Sequence, residues 1–116
     1  VAALLAGCSL PDPKVHVAAD NTSGQDVQGH VAARFDRKGG ASAVVLEWSG
    51  TLTQGAFQVG TFQRPCQDGS VGVVTYNATF GGHSFERAQE WAPGRCYEQR
   101  ITLRVTGNAT AAWEFA

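Results

Sequence analysis

The chain has 116 residues, of which 43% are hydrophobic and 16% charged, and its formal net charge is −1 at pH 7. That length suits one domain with a core of its own. The charge balance gives no basic footprint for a nucleic acid, and the scattered Lys and Arg residues include only one adjacent pair, Arg37-Lys38, which a turn explains.

The first eight residues, Val1-Ala-Ala-Leu-Leu-Ala-Gly-Cys8, form an apolar run that passes through a small pair into a cysteine. A signal peptide needs such an apolar core followed by small residues that fit the peptidase cleft. Leu5-Ala6-Gly7-Cys8 resembles the lipobox of bacterial lipoproteins. The resemblance implies cleavage before Cys8, lipidation of Cys8 and residence on the extracytoplasmic side of the envelope, anchored to the membrane. Residue 1 then reads as an alternative start written as Val or as the cut edge of a longer precursor. Seven apolar residues are too few to span a bilayer, which takes about 20. Residues 1–7 are accordingly expected to be a signal-peptide remnant, and 8–13 a lipidated cysteine with an extended tether. Pro11 and Pro13 disfavour helix in the residues before them. Residues 14–116 are left as a single β-domain.

With Cys8 assigned by that resemblance, Cys66 and Cys96 remain as an even pair in an exported context, where a disulfide is the expected state. The bridge would enclose 29 residues and contribute about 3–4 kcal/mol through loop closure.

Short alternating runs separated by turn signals fill the rest of the chain. Val15 and Val17 share one face of the first run. Val31, Ala33 and Phe35 share a face of the second, which ends at Asp36-Arg-Lys-Gly-Gly. Over 43–53, Val44, Leu46 and Trp48 are expected inward, with a bulge at Gly50. Phe57 and Val59 lead into Phe62, and Asp68-Gly69 marks a loop. Over 71–80, Val74, Tyr76, Ala78 and Phe80 lie in phase. Gly81-Gly82 suits a two-residue hairpin turn that would set Phe80 opposite His83, Ala78 opposite Phe85 and Tyr76 opposite Arg87.

Residues 84–91 carry helix-forming side chains and a capping Ser84, yet their alternation after Gly-Gly favours a strand. Between Tyr97 and Thr106, Ile101, Leu103 and Val105 point inward. After Gly107-Asn108 the last run, 111–115, brings Trp113 and Phe115 into phase. The expected fold is all-β, an antiparallel β-sandwich of about seven or eight short strands, with a small flattened barrel as the alternative.

Chemical motifs are sparse. His16, His30 and His83 lack metal-ligand spacing, no G-x-S-x-G elbow occurs, and no cofactor-binding pattern is found. Glu47, Glu86, Glu90 and Glu98 are candidates for a carboxylate pair, which glycoside chemistry would hold about 5–10 Å apart; alternating charge on outer strand faces gives the same set. Among the aromatics, Trp48 and Trp113 read as core. Trp91 is the best candidate for an exposed ring among them, but reads first as a cover over the disulfide. Asn21, Asn77 and Asn108 head N-x-S/T triplets and read as turn and strand polar residues.

The leading functional expectation is therefore a non-enzymatic envelope lipoprotein whose β-domain binds a protein or glycan. Its candidate binding residues are Arg64, Trp91 and Arg95, on loops that a Cys66–Cys96 bridge would join. The alternatives are a secreted hydrolase, a protease inhibitor presenting Gln63-Arg64-Pro65-Cys66, and a small lipid-carrying barrel.

Overall fold

The computed structural model describes residues 13–64, 71–91, 98–107 and 110–115. Its elements are all strands: β1 (Lys14–Asn21), β2 (Val27–Arg37), β3 (Ser42–Leu52), β4 (Gly55–Gln63), β5 (Gly72–Phe80), β6 (His83–Trp91), β7 (Gln99–Gly107) and β8 (Thr110–Phe115). Two four-stranded sheets result, ordered β4-β1-β7-β8 and β3-β2-β5-β6.

They pack as a sandwich. Among the described residues the hydrogen-bonded ladder does not close from one sheet to the other, so the flattened barrel is corrected. The space such a barrel would enclose is filled by side chains. Val15, Val17, Val31, Val74, Tyr76, Ile101, Leu103 and Val105 are all buried between the sheets. Each aliphatic side chain buried in this way stabilises by about 1.5–3 kcal/mol.

Pairing is antiparallel except between β1 and β7, which run parallel from Val15↔Gln99 to Asn21↔Val105. Hairpin geometry does not constrain that pair, because the whole of the second sheet separates the two strands in sequence. The 84–91 segment is strand, within β6. Gly81 and Gly82 take φ of 58° and 76°, as a primed turn requires. They fix the expected register, with Phe80 opposite His83, Ala78 opposite Phe85 and Tyr76 opposite Arg87.

Two bulges re-aim side chains along one open side of the sandwich. In β3 the register runs Ala33↔Leu46 and then Arg34↔Val44, so Val45 is the extra residue. The bulge expected at Gly50 therefore lies at Val45, and Gly50 pairs regularly with Gly29. Leu46 and Trp48 stay against the core, whereas Val44, beyond the bulge, is 62% exposed.

In β4 the register runs Val17↔Gly60 and then Ala18↔Gln58, which makes Val59 the extra residue. Phe57 and Phe62 are five positions apart and would face opposite ways in a regular strand. The bulge turns both inward. Phe57 meets Trp48 across the sheets at 5.5 Å between ring centroids, and Leu46 closes over Gly60.

A clasp fastens the other open side. Trp113 Nε1 donates to the Phe85 carbonyl at 2.9 Å, and Arg87 Nη1 donates to the Trp113 carbonyl at 2.8 Å. The Arg87 guanidinium also lies 4.1 Å from the centre of the Phe115 ring.

Asn21 organises the end of the sandwich at which β1 finishes, here called the far end. It is 1% exposed. Its Nδ2 donates to the carbonyls of Gln25 (2.7 Å) and Leu52 (2.9 Å). Its Oδ1 accepts from the backbone N–H of Ser23 at 3.0 Å and from the Ser23 hydroxyl at 2.6 Å. One amide thus binds the β1–β2 crossover to the end of β3.

Candidate functional site

The opposite, near end holds Arg64 and Trp91, two of the three candidate binding residues. β1 begins there. Its register places Lys14 beside Gln63 at the end of β4 and Val15 beside Gln99 at the start of β7. In the second sheet, the end of β2, the start of β5 and the end of β6 share a row, Arg37↔Gly72↔Trp91. Phe62 of the first sheet packs on Trp91 of the second at 6.1 Å, so these strand ends form one surface. The connections from β4 to β5 and from β6 to β7 both start and finish here. The backbone N–H of Arg64 donates to the Pro13 carbonyl at 2.9 Å, which ties the incoming chain to the same end.

Arg64 and Trp91 are brought together, but as core. Trp91 is 1% exposed and Arg64 5%. The Arg64 guanidinium sits 4.9 Å from the centre of the Trp91 ring, and Phe35 packs against the same ring, tilted, at 5.0 Å. The expectation of Trp91 and Arg64 as presented binding residues is thereby corrected. The register of β6 points Trp91 inward, and Phe35 and Phe62 enclose it. Arg95, Cys66, Cys96 and Cys8 lie outside the described residues.

Beside this cluster is an open groove of about 670 Å³, lined by Asp36, Arg37, Lys38, Val71, Gly72, Val73, Glu90 and Trp91. Its shape depends on Gly72. A Cβ there would fall 2.2 Å from the Asp36 carbonyl oxygen and 2.8 Å from the Phe35 ring. The backbone N–H of Lys38 donates to the Val71 carbonyl at 2.9 Å and holds the β2–β3 turn over the start of β5. The Asp36 carboxylate accepts from the Ser42 hydroxyl and lies 3.2 Å from Arg34 Nε. The Ser42 hydrogen bond, with help from the Arg34 charge, holds the Asp36 carboxyl below the usual carboxylate range. Sequence reasoning took Arg37-Lys38 for a turn and missed the groove behind it.

The remaining candidates are dispersed. His16 Nε2 is 3.3 Å from Glu98 Oε1, within ion-pair reach but without hydrogen-bond alignment. His30 Nε2 lies 3.1 Å from Glu47 Oε2 on the outer sheet face. His83 stands by the far-end hairpin, against Phe85. Glu47 and Glu86 share one cross-strand row, Glu47–Ala32–Asn77–Glu86. Three strand spacings separate their backbones, about 14 Å, which is wider than a glycosidase pair needs.

The aromatics face the interior rather than forming a platform. Tyr76 packs against Trp113 and Phe115, each at 5.5 Å, and against Phe62 at 6.4 Å. On the outer face of the other sheet, Arg104 binds Glu114 and Asp20 at 2.7 and 2.8 Å. Of the Asn triplets, Asn21 is the buried hub and Asn77 a β5 residue, while Asn108 lies outside the described residues. Comparison with family models, curated proteins and solved structures returns no match.

Proposed function

We propose that this chain is a cell-envelope lipoprotein, anchored through lipid on Cys8 on the extracytoplasmic side, whose β-sandwich is a non-enzymatic binding module for a protein or glycan. The supporting observation is the fixing of Pro13 to Arg64 at the near end. Five residue steps separate Cys8 from Pro13, a reach of at most about 18 Å for a fully extended chain. A lipid on Cys8 therefore keeps the near end next to the bilayer and turns the sheet faces and the far end toward partners. The same topology supports a Cys66–Cys96 disulfide, because the two connections that carry these cysteines begin and finish on one surface.

The test is metabolic labelling with an alkyne fatty acid in a bacterial host expressing the protein from its own gene. Wild type should take up the label and fractionate with membranes, and Cys8→Ala should lose both properties. Unlabelled wild type would overturn the anchor. Peptide mapping without reductant should recover Cys66 and Cys96 as one linked peptide pair; two free thiols would overturn the bridge.

A further inference from the structure

We propose that the near end is a docking surface for an anionic phospholipid bilayer, engaged chiefly by Lys14 and Lys38. The orientation this gives the protein rests on the Cys8 anchor, but the surface itself is testable without it.

Four observations converge. The chain contains only two lysines; both are exposed, and both lie at this end, Lys14 at the start of β1 and Lys38 in the β2–β3 turn. Arg37 and Arg100 join them there, so that among the described residues four exposed cations stand beside the carboxylates Asp36, Glu90 and Glu98. Asp36 is already met by Arg34 and Ser42. The far end, beyond the row of Asp20, holds Asp26 and no Lys or Arg among the described residues. Among the described residues charge is therefore polarised along the sandwich, with the positive end where Pro13 leads into β1.

The groove adds chemistry suited to a lipid interface. Lys38 and Arg37 border it next to Val71 and Val73, so cations stand beside apolar side chains. A lysine in such a place lays its methylenes on the apolar surface and extends its ammonium to a phosphate. A tether of at most about 18 Å brings this end within the range over which an anionic surface attracts cations, roughly one Debye length of 8–10 Å.

The experiment uses the whole chain with Cys8→Ser, so that no acyl chain contributes, and co-sediments it with phosphatidylcholine vesicles with or without phosphatidylglycerol. Binding driven by the apolar first residues is common to both compositions, so the proposal is read from the difference between them. Phosphatidylglycerol should raise partitioning, and high salt should abolish the gain. Lys14→Gln with Lys38→Gln should lower it by about fivefold per lysine. Gln25→Glu with Gln54→Glu makes the same change in net charge at the far end and should leave it near wild type.

Equal binding to both lipids would overturn the proposal. So would a lysine variant that binds like wild type, or a far-end variant that loses as much. A second measurement uses the acylated chain on the same vesicles: an amine-reactive reagent should modify both lysines several-fold more slowly on the anionic ones. Fatty-acid labelling tests the anchor independently, so loss of either result identifies which inference fails.

Discussion

Removing the hydroxyl of Tyr76 should stabilise this protein. The residue is fully buried, and its hydroxyl has no hydrogen-bond partner among the described residues. Burying an unbonded hydroxyl costs about 1–3 kcal/mol by mutational measures. Tyr76→Phe keeps the ring contacts with Phe62, Trp113 and Phe115 and deletes only the oxygen, so the expected gain is about 1 kcal/mol. For a domain of this size that raises the melting temperature by about 4–8 °C. In urea it raises the midpoint by about 0.3–1 M without changing the slope.

Burial also pushes the Tyr76 phenol well above its ordinary range. The folded chain then keeps a proton that the unfolded chain releases near pH 10. Stability should be full below that pH and fall as pH rises past it, and the decline should weaken in Tyr76→Phe. The assay is equilibrium urea unfolding of both proteins from neutral to alkaline pH. A loss of about 1 kcal/mol or more on removing the hydroxyl, outside the range of a neutral deletion, would refute the reasoning, because it would mean the oxygen is bonded.

Three further outcomes are expected. Asn21→Ala leaves the Leu52 carbonyl and the Ser23 donors without their partner, and should cost about 2–4 kcal/mol in the same unfolding assay. Gly72→Ala drives a methyl into the backbone of β2 and should cost about 1–3 kcal/mol, with the β2–β5 amide shifts moving furthest in NMR spectra. Asp36 and Glu114 are both held below the usual carboxylate range, Asp36 chiefly by Ser42 and Glu114 by Arg104. Their stabilising contribution is therefore present above that range and lost as pH falls through the lowered values. In a carboxyl NMR titration, Ser42→Ala should move Asp36 back toward an ordinary carboxylate and leave Glu114 unchanged.

Much of the sandwich was legible because its strands alternate cleanly. Val31, Ala33 and Phe35, and likewise Ile101, Leu103 and Val105, face inward as their period of two requires. Gly81-Gly82 fixed a whole hairpin register. The reading failed where a bulge broke the period. Val44 looked inward until Val45 was inserted ahead of it, and nothing in a run of Val-Val-Leu marks which residue is the extra one. Trp91 as a binding residue failed for a related reason: its neighbours in sequence are polar or turn-forming, while its neighbours in space come from β2 and β4. The near-end groove joins three strand ends that are remote in sequence, so no local pattern could announce it.

The two bulges and the clasp have a consequence at high surface concentration. If the proposed anchor holds, copies would be crowded in two dimensions, where a regular exposed strand edge invites a neighbouring copy to extend the sheet. Each sheet here has two outer strands, two of them bulged and two with an edge carbonyl engaged by a side chain. β3 and β4 carry the bulges, which kink their ladders out of step. On the opposite side, the Phe85 carbonyl of β6 is occupied by Trp113, and the Trp113 carbonyl of β8 by Arg87. The devices that shape the core thus also keep crowded copies from zipping together edge to edge.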